Sequence, residues 1–268
     1  MNTGVKRQSN MKIITFNANG IRSAAKKGFF EWLKTENADV VCLQETKAQE
    51  HQLQDALFRP DGYHCYYYDA RCRKGYSGVA IYSKQKPNHI ITGLGWSVAD
   101  DEGRYIQADF TNISVASLYL PSGTSGDHRQ VLKYEFLDQL TEVLKKFDRE
   151  QRRIILCGDW NIAHKQIDLK NWRANQNKTG FLPEERAWMD HLFGPLGYID
   201  AFREVDKNPD RYTWWSNRAN ARANNVGWRI DYQVVSQGLR QSVKESIIYT
   251  EQLFSDHAPL IVEYAAFW

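Results

Sequence analysis

The sequence predicts an α/β fold, two mixed β-sheets packed face to face with helices outside, and three observations carry that expectation. Strand-sized apolar runs alternate with segments of helical periodicity along the whole chain. Strand pairs separated by short turns, such as Phe110-Thr111-Asn112-Ile113, exclude a purely parallel sheet. Several runs stop at carboxylates, amides or a histidine, which puts polar groups along one rim of a sheet.

In chain order, strands are expected near residues 12–16, 40–44, 78–83, 105–110, 113–120, 153–158, 228–235, 246–249 and 259–264. Ile13-Ile14-Thr15-Phe16 runs into Asn17-Ala18-Asn19-Gly20, Val40-Val41-Cys42-Leu43 into Gln44-Glu45-Thr46-Lys47, and Ile154-Ile155-Leu156-Cys157 into Gly158-Asp159-Trp160-Asn161. Trp228-Arg229-Ile230-Asp231-Tyr232 and Ser255-Asp256-His257-Ala258-Pro259 stand beside further apolar runs. Helices are expected near 24–35, 129–147 and 183–193. In the second, Val131, Tyr134, Leu137, Leu140, Val143, Leu144 and Phe147 recur at helical spacing, and Pro183-Glu184-Glu185 suits the first turn of the third.

The 268 residues, 42% hydrophobic and 25% charged, supply enough apolar material for a core of ordinary globular type. Residues 1–10 have no apolar stretch of signal-peptide type and precede a second methionine, Met11. They are read as a disordered extension or alternative start, with 11–268 forming one domain. No run approaches the roughly 20 apolar residues of a membrane span, so no membrane partner is expected. Four cysteines without a CxxC pair are read as buried free thiols of a reducing cytosol rather than zinc ligands or disulfides. The net charge of +3 says little, but 212–230 carries Arg218, Arg222 and Arg229 without a carboxylate, and 165–178 holds four basic residues against Asp168. Two such loops suit the two sides of a polyanion.

The strand ends admit two readings each. Glu45 beside Lys47 reads as a surface ion pair; with Asn17 and Asn19 it reads as an oxygen-only ligand set for magnesium or manganese, and zinc is disfavoured because His and Cys at short spacing are missing. Asp159 and Asn161 alternate, hence share a side: they either close an Asx turn, or accept a proton from water and orient it. His257 is either a packed histidine or, with Asp231 on one ring nitrogen, a donor to a phosphate oxygen. Trp214, Trp215 and Trp228, interleaved with arginines, are core residues or the walls of a pocket for an extruded nucleotide or sugar.

Taken together and in order, five segments resemble the exonuclease III family of AP endonucleases: 16–22, 43–47, Leu118-Tyr119-Leu120-Pro121-Ser122-Gly123, 158–163 and 255–259. The stretch 225–232 fits as well. The resemblance runs from Met11 to Trp268 and implies a four-layered α/β sandwich. It also implies metal-dependent cleavage of the phosphodiester 5′ to an abasic site, with 3′-end processing, in base excision repair. By position it makes Glu45 the metal ligand, Asn19 a metal-site neighbour and Asp256 close by, with magnesium, or manganese, as the cofactor. Asp159 and Asn161 then activate and place water, Tyr119 and His257 contact the scissile phosphate, Asp231 supports His257, and Asn17 orients Asp159. Tyr76 within Gly75-Tyr76-Ser77-Gly78 and Arg104 resemble backbone contacts to DNA, to which Arg22, Lys47, Arg218 and Arg222 are added, while Trp214, Trp228 and Ile230 resemble an abasic-sugar pocket. Asn19 stands where some members carry aspartate, which disfavours a directly bound second metal. Trp228 matches members specialised for abasic sites.

The expected partner is double-stranded DNA with abasic sites or blocked 3′ ends, the expected state a monomer, and the expected compartment a bacterial cytoplasm. Two rivals remain at this level. A lipid phosphoesterase of the same superfamily is disfavoured by the basic, tryptophan-rich 214–229. A non-catalytic DNA-binding module is disfavoured by Glu45, Asp159, Asp231 and Asp256, which repel phosphate unless a metal or catalysis requires them.

Overall fold

In the computed structural model, residues 10–265 are described, so the expected N-terminal extension, apart from Asn10, lies outside them. The first strands are β1 (Met11–Asn17), β2 (Val40–Gln44), β3 (His64–Tyr68), β4 (Val79–Ser83), β5 (His89–Thr92), β6 (Tyr105–Asp109) and β7 (Ser114–Tyr119). The second half adds β8 (Ile154–Asp159), β9 (Ile199–Asp200), β10 (Trp214–Trp215), β11 (Gly227–Trp228), β12 (Asp231–Val235), β13 (Val243–Ile248) and β14 (Leu260–Tyr264). The helices are α1 (Ile21–Lys26), α2 (Phe29–Glu36), α3 (Ser97–Asp101), α4 (Asp127–Arg149), α5 (Trp172–Asn175), α6 (Pro183–Phe193) and α7 (Ala201–Val205).

Two six-stranded sheets, ordered β13-β14-β1-β2-β4-β3 and β5-β6-β7-β8-β12-β9, pack on one another, and β10 and β11 form a separate ribbon. Both sheets are mixed, with β1 parallel to β2 and β7 parallel to β8. Strand alternation sorts the apolar runs into two faces. Ile13, Val40, Cys42, Ile155 and Cys157 fill the space between the sheets, whereas Ile14, Val41 and Leu43 pack outward against Phe29, Phe30 and Leu33 of α2. On the other side Leu118 and Leu156 meet Phe136, Leu137, Leu140 and Leu144 of α4 and Met189 and Leu192 of α6. Helices therefore cover both outer faces, giving four layers, and explain why the central strands read as continuous apolar runs.

Three local expectations need correction. The helix expected over 24–35 is two helices, because Gly28 adopts a left-handed φ of 87° between α1 and α2. The strand expected over 228–235 breaks at Arg229-Ile230, so that β11 pairs with β10 while β12 joins the second sheet. Only Cys42 and Cys157 are buried; Cys65 is half-buried and Cys72 exposed, all four being free thiols. Among the described residues no helix is long and apolar enough to cross a membrane.

Candidate active site

Register decides where the polar strand ends meet. Asn17 pairs with Gln44, and Tyr119 and Asp231 both pair with Asp159, so β1, β2, β7 and β8 finish on the rim where β12 begins. The 255–259 loop leading into β14 closes the same rim, anchored by Ser255 Oγ donating to the Asn17 carbonyl at 2.7 Å. A cleft of about 540 Å³ opens there, lined by Asn19, Glu45, Tyr119, Asp159, Asn161, Trp214, Trp228, Ile230, Asp256 and His257 among others.

Asn17 is buried behind the cleft and organises it. Its Nδ2 donates to Glu45 Oε2 at 3.0 Å and to Asp159 Oδ2 at 2.8 Å, while its Oδ1 accepts the backbone N–H of Asn19. Asn19 Nδ2 donates to Asp256 Oδ1 at 2.9 Å, and Trp214 Nε1 holds the other oxygen of that carboxylate at 3.0 Å. The Lys47 ammonium lies 3.1 Å from Glu45 Oε1 and 2.5 Å from Asn19 Oδ1, so positive charge already sits between two oxygen donors. Asn19, Glu45 and Asn161 all have positive φ, at 41°, 54° and 50°. That backbone is uncommon for residues other than glycine and clusters at functional sites.

On the other side of Asn17, His257 Nδ1 lies 2.9 Å from Asp231 Oδ2, and its Nε2 lies 3.8 Å from Asp159 Oδ2. Burial alone lowers the basicity of the His257 imidazole, but the Asp231 carboxylate outweighs it and holds the ring well above the usual histidine range. Burial, reinforced by Asp231, pushes the Asp159 carboxyl up, against the opposing pull of His257 and of hydrogen bonds from Asn161 and Asn17. Asp256, whose burial is offset by His257, Asn19 and Trp214, is held below the ordinary carboxyl value. Asp159, Asp231 and His257 offer ligand atoms within 4.8 Å of one another, an acidic cluster of a kind able to hold a metal ion.

The aromatic residues divide by strand alternation. Trp214 and Trp228 pair across the ribbon and meet edge to face at 6.4 Å between ring centroids. With Ile230 they line the cleft. Trp215 faces the opposite way and packs with Tyr212, Ala221 and Ala258.

Of the other expected contacts, Lys47, Tyr76 and Arg104 line the cleft, whereas Arg22 lines an adjoining hollow with Lys26 and Lys47. Arg104 is buried, and its guanidinium donates to Glu102, to the Tyr119 carbonyl and to Tyr76 Oη. Arg218 and Arg222 lie outside the cleft; Arg222 stacks on Trp215 at 4.6 Å and donates to the Ser255 carbonyl. The two basic loops are also less free than their composition suggests. Arg229 is buried between Asp168 and Asp200, and Lys165 and Lys170 pair with Asp190 and Asp210, while Lys178 lines the cleft. Sequence reasoning missed Lys178 as an individual cleft residue, and Arg129 altogether. Arg129 reaches Tyr76 Oη at 3.0 Å from the first turn of α4, and no local pattern distinguishes it from a solvated helix residue.

A two-sheet sandwich whose rim gathers carboxylates, amides and a histidine defines a phosphoester hydrolase of the endonuclease/exonuclease/phosphatase type, and the model of the Endonuclease/Exonuclease/phosphatase family matches residues 14–257. An exodeoxyribonuclease of Bacillus subtilis is 41% identical over 252 residues, covering 93% of this chain and 98% of the relative. The DNA repair nuclease APEX1 of Danio rerio is 37% identical, covering 95% of this chain and 82% of the relative. The solved structure of an AP endonuclease from Archaeoglobus fulgidus superposes with a TM-score of 0.87 at 29% identity, covering 96% of this chain and all of that one. The chain belongs to the exonuclease III-like AP endonucleases of this family.

Proposed function

We propose that this DNA repair hydrolase cuts the phosphodiester 5′ to an abasic site in double-stranded DNA and processes blocked 3′ ends, using magnesium and acting as a monomer. The observation that carries the reading is the Asn17 amide, which holds Glu45 and Asp159 at once beside the Trp214–Trp228 wall. One amide thereby fixes the cation-binding carboxylate and the base at a set separation, next to a pocket for an extruded sugar.

Glu45, Asn19 and Asp256 would hold the cation: the donors are all oxygen, as magnesium and manganese prefer, and the Lys47 ammonium seated between two of them supports a site that accepts positive charge. The alternative cluster is less suited, because it includes the His257 nitrogen, whereas magnesium prefers oxygen donors throughout. When bound, a divalent ion offsets charge on the phosphate oxygens and the departing 3′ oxygen. Asp159, its carboxyl pushed up by burial and Asp231, takes the proton of the attacking water, and Asn161 places that water. Asn161 Nδ2 is fixed by donation to the Leu120 carbonyl at 2.8 Å. Asp231 orients His257 so that Nε2–H, together with Tyr119, stabilises charge on the non-bridging oxygens. Lys47, Tyr76 and Lys178 at the cleft, with Arg22 and Arg218 further out, track the phosphate backbone.

The deciding experiment compares an abasic duplex, an intact nicked duplex and a 3′-phosphate end on gels, each with magnesium and with chelator, for the parent and Glu45→Gln. Abasic incision and 3′-phosphate removal are expected with magnesium, with little action on the intact nick. The variant should be impaired and partly restored at high magnesium. Undiminished incision in chelator, or parent-like magnesium dependence in the variant, overturns the reading.

A further inference from the structure

One buried ion pair lies outside the described chemistry yet touches both halves of the cleft. Lys133 of α4 and Glu185 of α6 are each fully buried, with Nζ 2.6 Å from Oε1. Burial pulls the Lys133 ammonium below its usual range, and Glu185 opposes that pull. Sequestering two charges carries a desolvation cost that only good geometry and further hydrogen bonds offset, so their remaining bonds show what the pair holds in place.

Lys133 Nζ also donates to the Asn161 carbonyl at 2.8 Å. That contact pins the backbone of a residue already in the left-handed region, whose side chain reaches the Leu120 carbonyl. Glu185 Oε2 accepts the N–H groups of Gly180 and Leu182 at 2.7 and 3.0 Å. Its Oε1 additionally accepts Gln130 Nε2, and Gln130 Oε1 in turn accepts the Thr179 hydroxyl. Gly180 has a φ of +91°, and a Cβ there would stand 3.2 Å from Trp228 Cζ3 and 3.3 Å from the Asn161 carbonyl. The segment gripped by Glu185 is thus pressed between the tryptophan wall and Asn161.

We infer that Lys133 and Glu185 are positioning residues that lock Asn161 and the 179–182 wall behind Trp228 into one arrangement, coupling the placement of water to the shape of the sugar pocket. The inference rests on the roles proposed above for Asn161 and Trp228. Neither side chain lines the cleft, so the pair acts only through the groups it holds.

The test is steady-state incision of an abasic duplex by the Lys133→Met/Glu185→Gln double variant, which removes both charges, keeps the volume, and retains an acceptor for Gly180 and Leu182. A kcat lower by about tenfold with KM little changed is expected, since a misplacement of about 1 Å can cost on the order of 10²-fold and a smaller one less. The ratio of abasic incision to 3′-nucleotide removal should fall as well, in a variant that melts close to the parent. A merely structural role would move the melting temperature and leave kcat and the ratio of the folded enzyme alone; that result overturns the inference. Asn161→Ala is measured alongside. If it is inactive while the pair variant is parent-like, the inference alone fails; if it keeps parent kcat, the role of Asn161 fails and the inference with it. Should the double variant not fold, Glu185→Gln decides: a severalfold lower kcat supports the coupling, and parent-like kcat overturns it.

Discussion

Two buried charge clusters flank the turn Trp228-Arg229-Ile230, and they are balanced in opposite ways. On the cleft side two carboxylates, Asp159 and Asp231, share one imidazole, and Asp231 Oδ1 has no hydrogen-bond partner among the described residues. Behind the turn, Arg229 bonds Asp168 at 2.8 Å and Asp200 at 2.7 Å, and Arg203 bonds the same Asp168 oxygen at 2.8 Å. Burial would raise the Asp168 carboxyl, but Arg229 and then Arg203 hold it at about 2. The difference separates structure from chemistry. Two guanidiniums offset two carboxylates in charge, even though Arg229 Nη1 has no hydrogen-bond partner among the described residues, whereas a surplus of buried negative charge at a cleft suits a proton to be moved.

The largest effect is expected on the unbalanced side. Asp159→Asn removes the proposed base and should lower single-turnover abasic incision by about 10²- to 10⁴-fold. Its melting temperature should hold or rise, because a buried carboxylate that Asp231 disfavours is gone. A variant that loses stability but cuts within a few-fold of the parent would place Asp159 with the structural cluster and break the comparison.

Arg229→Met should do the reverse. Leaving Asp200 without its cation and Asp168 with Arg203 alone costs about 3–5 kcal/mol, read as a lower urea midpoint, while the folded enzyme keeps incision within a few-fold. Unchanged stability with lost activity would assign Arg229 to the site.

Acid sharpens the contrast further. The Asp168 carboxyl lies below its ordinary value in the fold. Its ionised form therefore contributes stability, about 2 kcal/mol by linkage, that is fully present above about pH 4. That contribution is lost as pH falls toward about 2. Urea unfolding between those limits should show the loss in the parent and much less of it in Arg229→Met. An identical slope in both would mean that another carboxylate governs acid stability.

The smallest expected effect concerns the turn itself. Trp228→Ser enlarges the proposed sugar pocket, so the ratio of abasic incision to 3′-nucleotide removal should fall a few-fold with metal dependence unchanged. An unaltered ratio in a folded variant makes Trp228 a core residue and moves selectivity to other loops.

Much of this is legible in the order of residues. The apolar runs ending at Asn17, Gln44 and Asp159 are strands because strand patterning is local, and their ends meet because neighbouring strands share a rim. The lasting errors lie where composition stands in for environment. Arg229 counts as a basic loop residue by composition, although its partners Asp168 and Asp200 lie 61 and 29 positions away. Trp214 and Trp215 are neighbours in sequence yet face opposite sides of a ribbon, and only the pairing with β11 tells which one meets the cleft.

By itself, then, the sequence determined the sandwich and which carboxylates, amides and histidine end its strands, since side-chain period and polarity are properties of short segments. Tertiary structure alone decided which charges are balanced. Whether Asp168 meets two guanidiniums, Asp231 one imidazole, or Lys133 both Glu185 and the Asn161 carbonyl depends on contacts across tens of residues. In a low-dielectric interior it is those contacts, rather than residue type, that set the electrostatic energy.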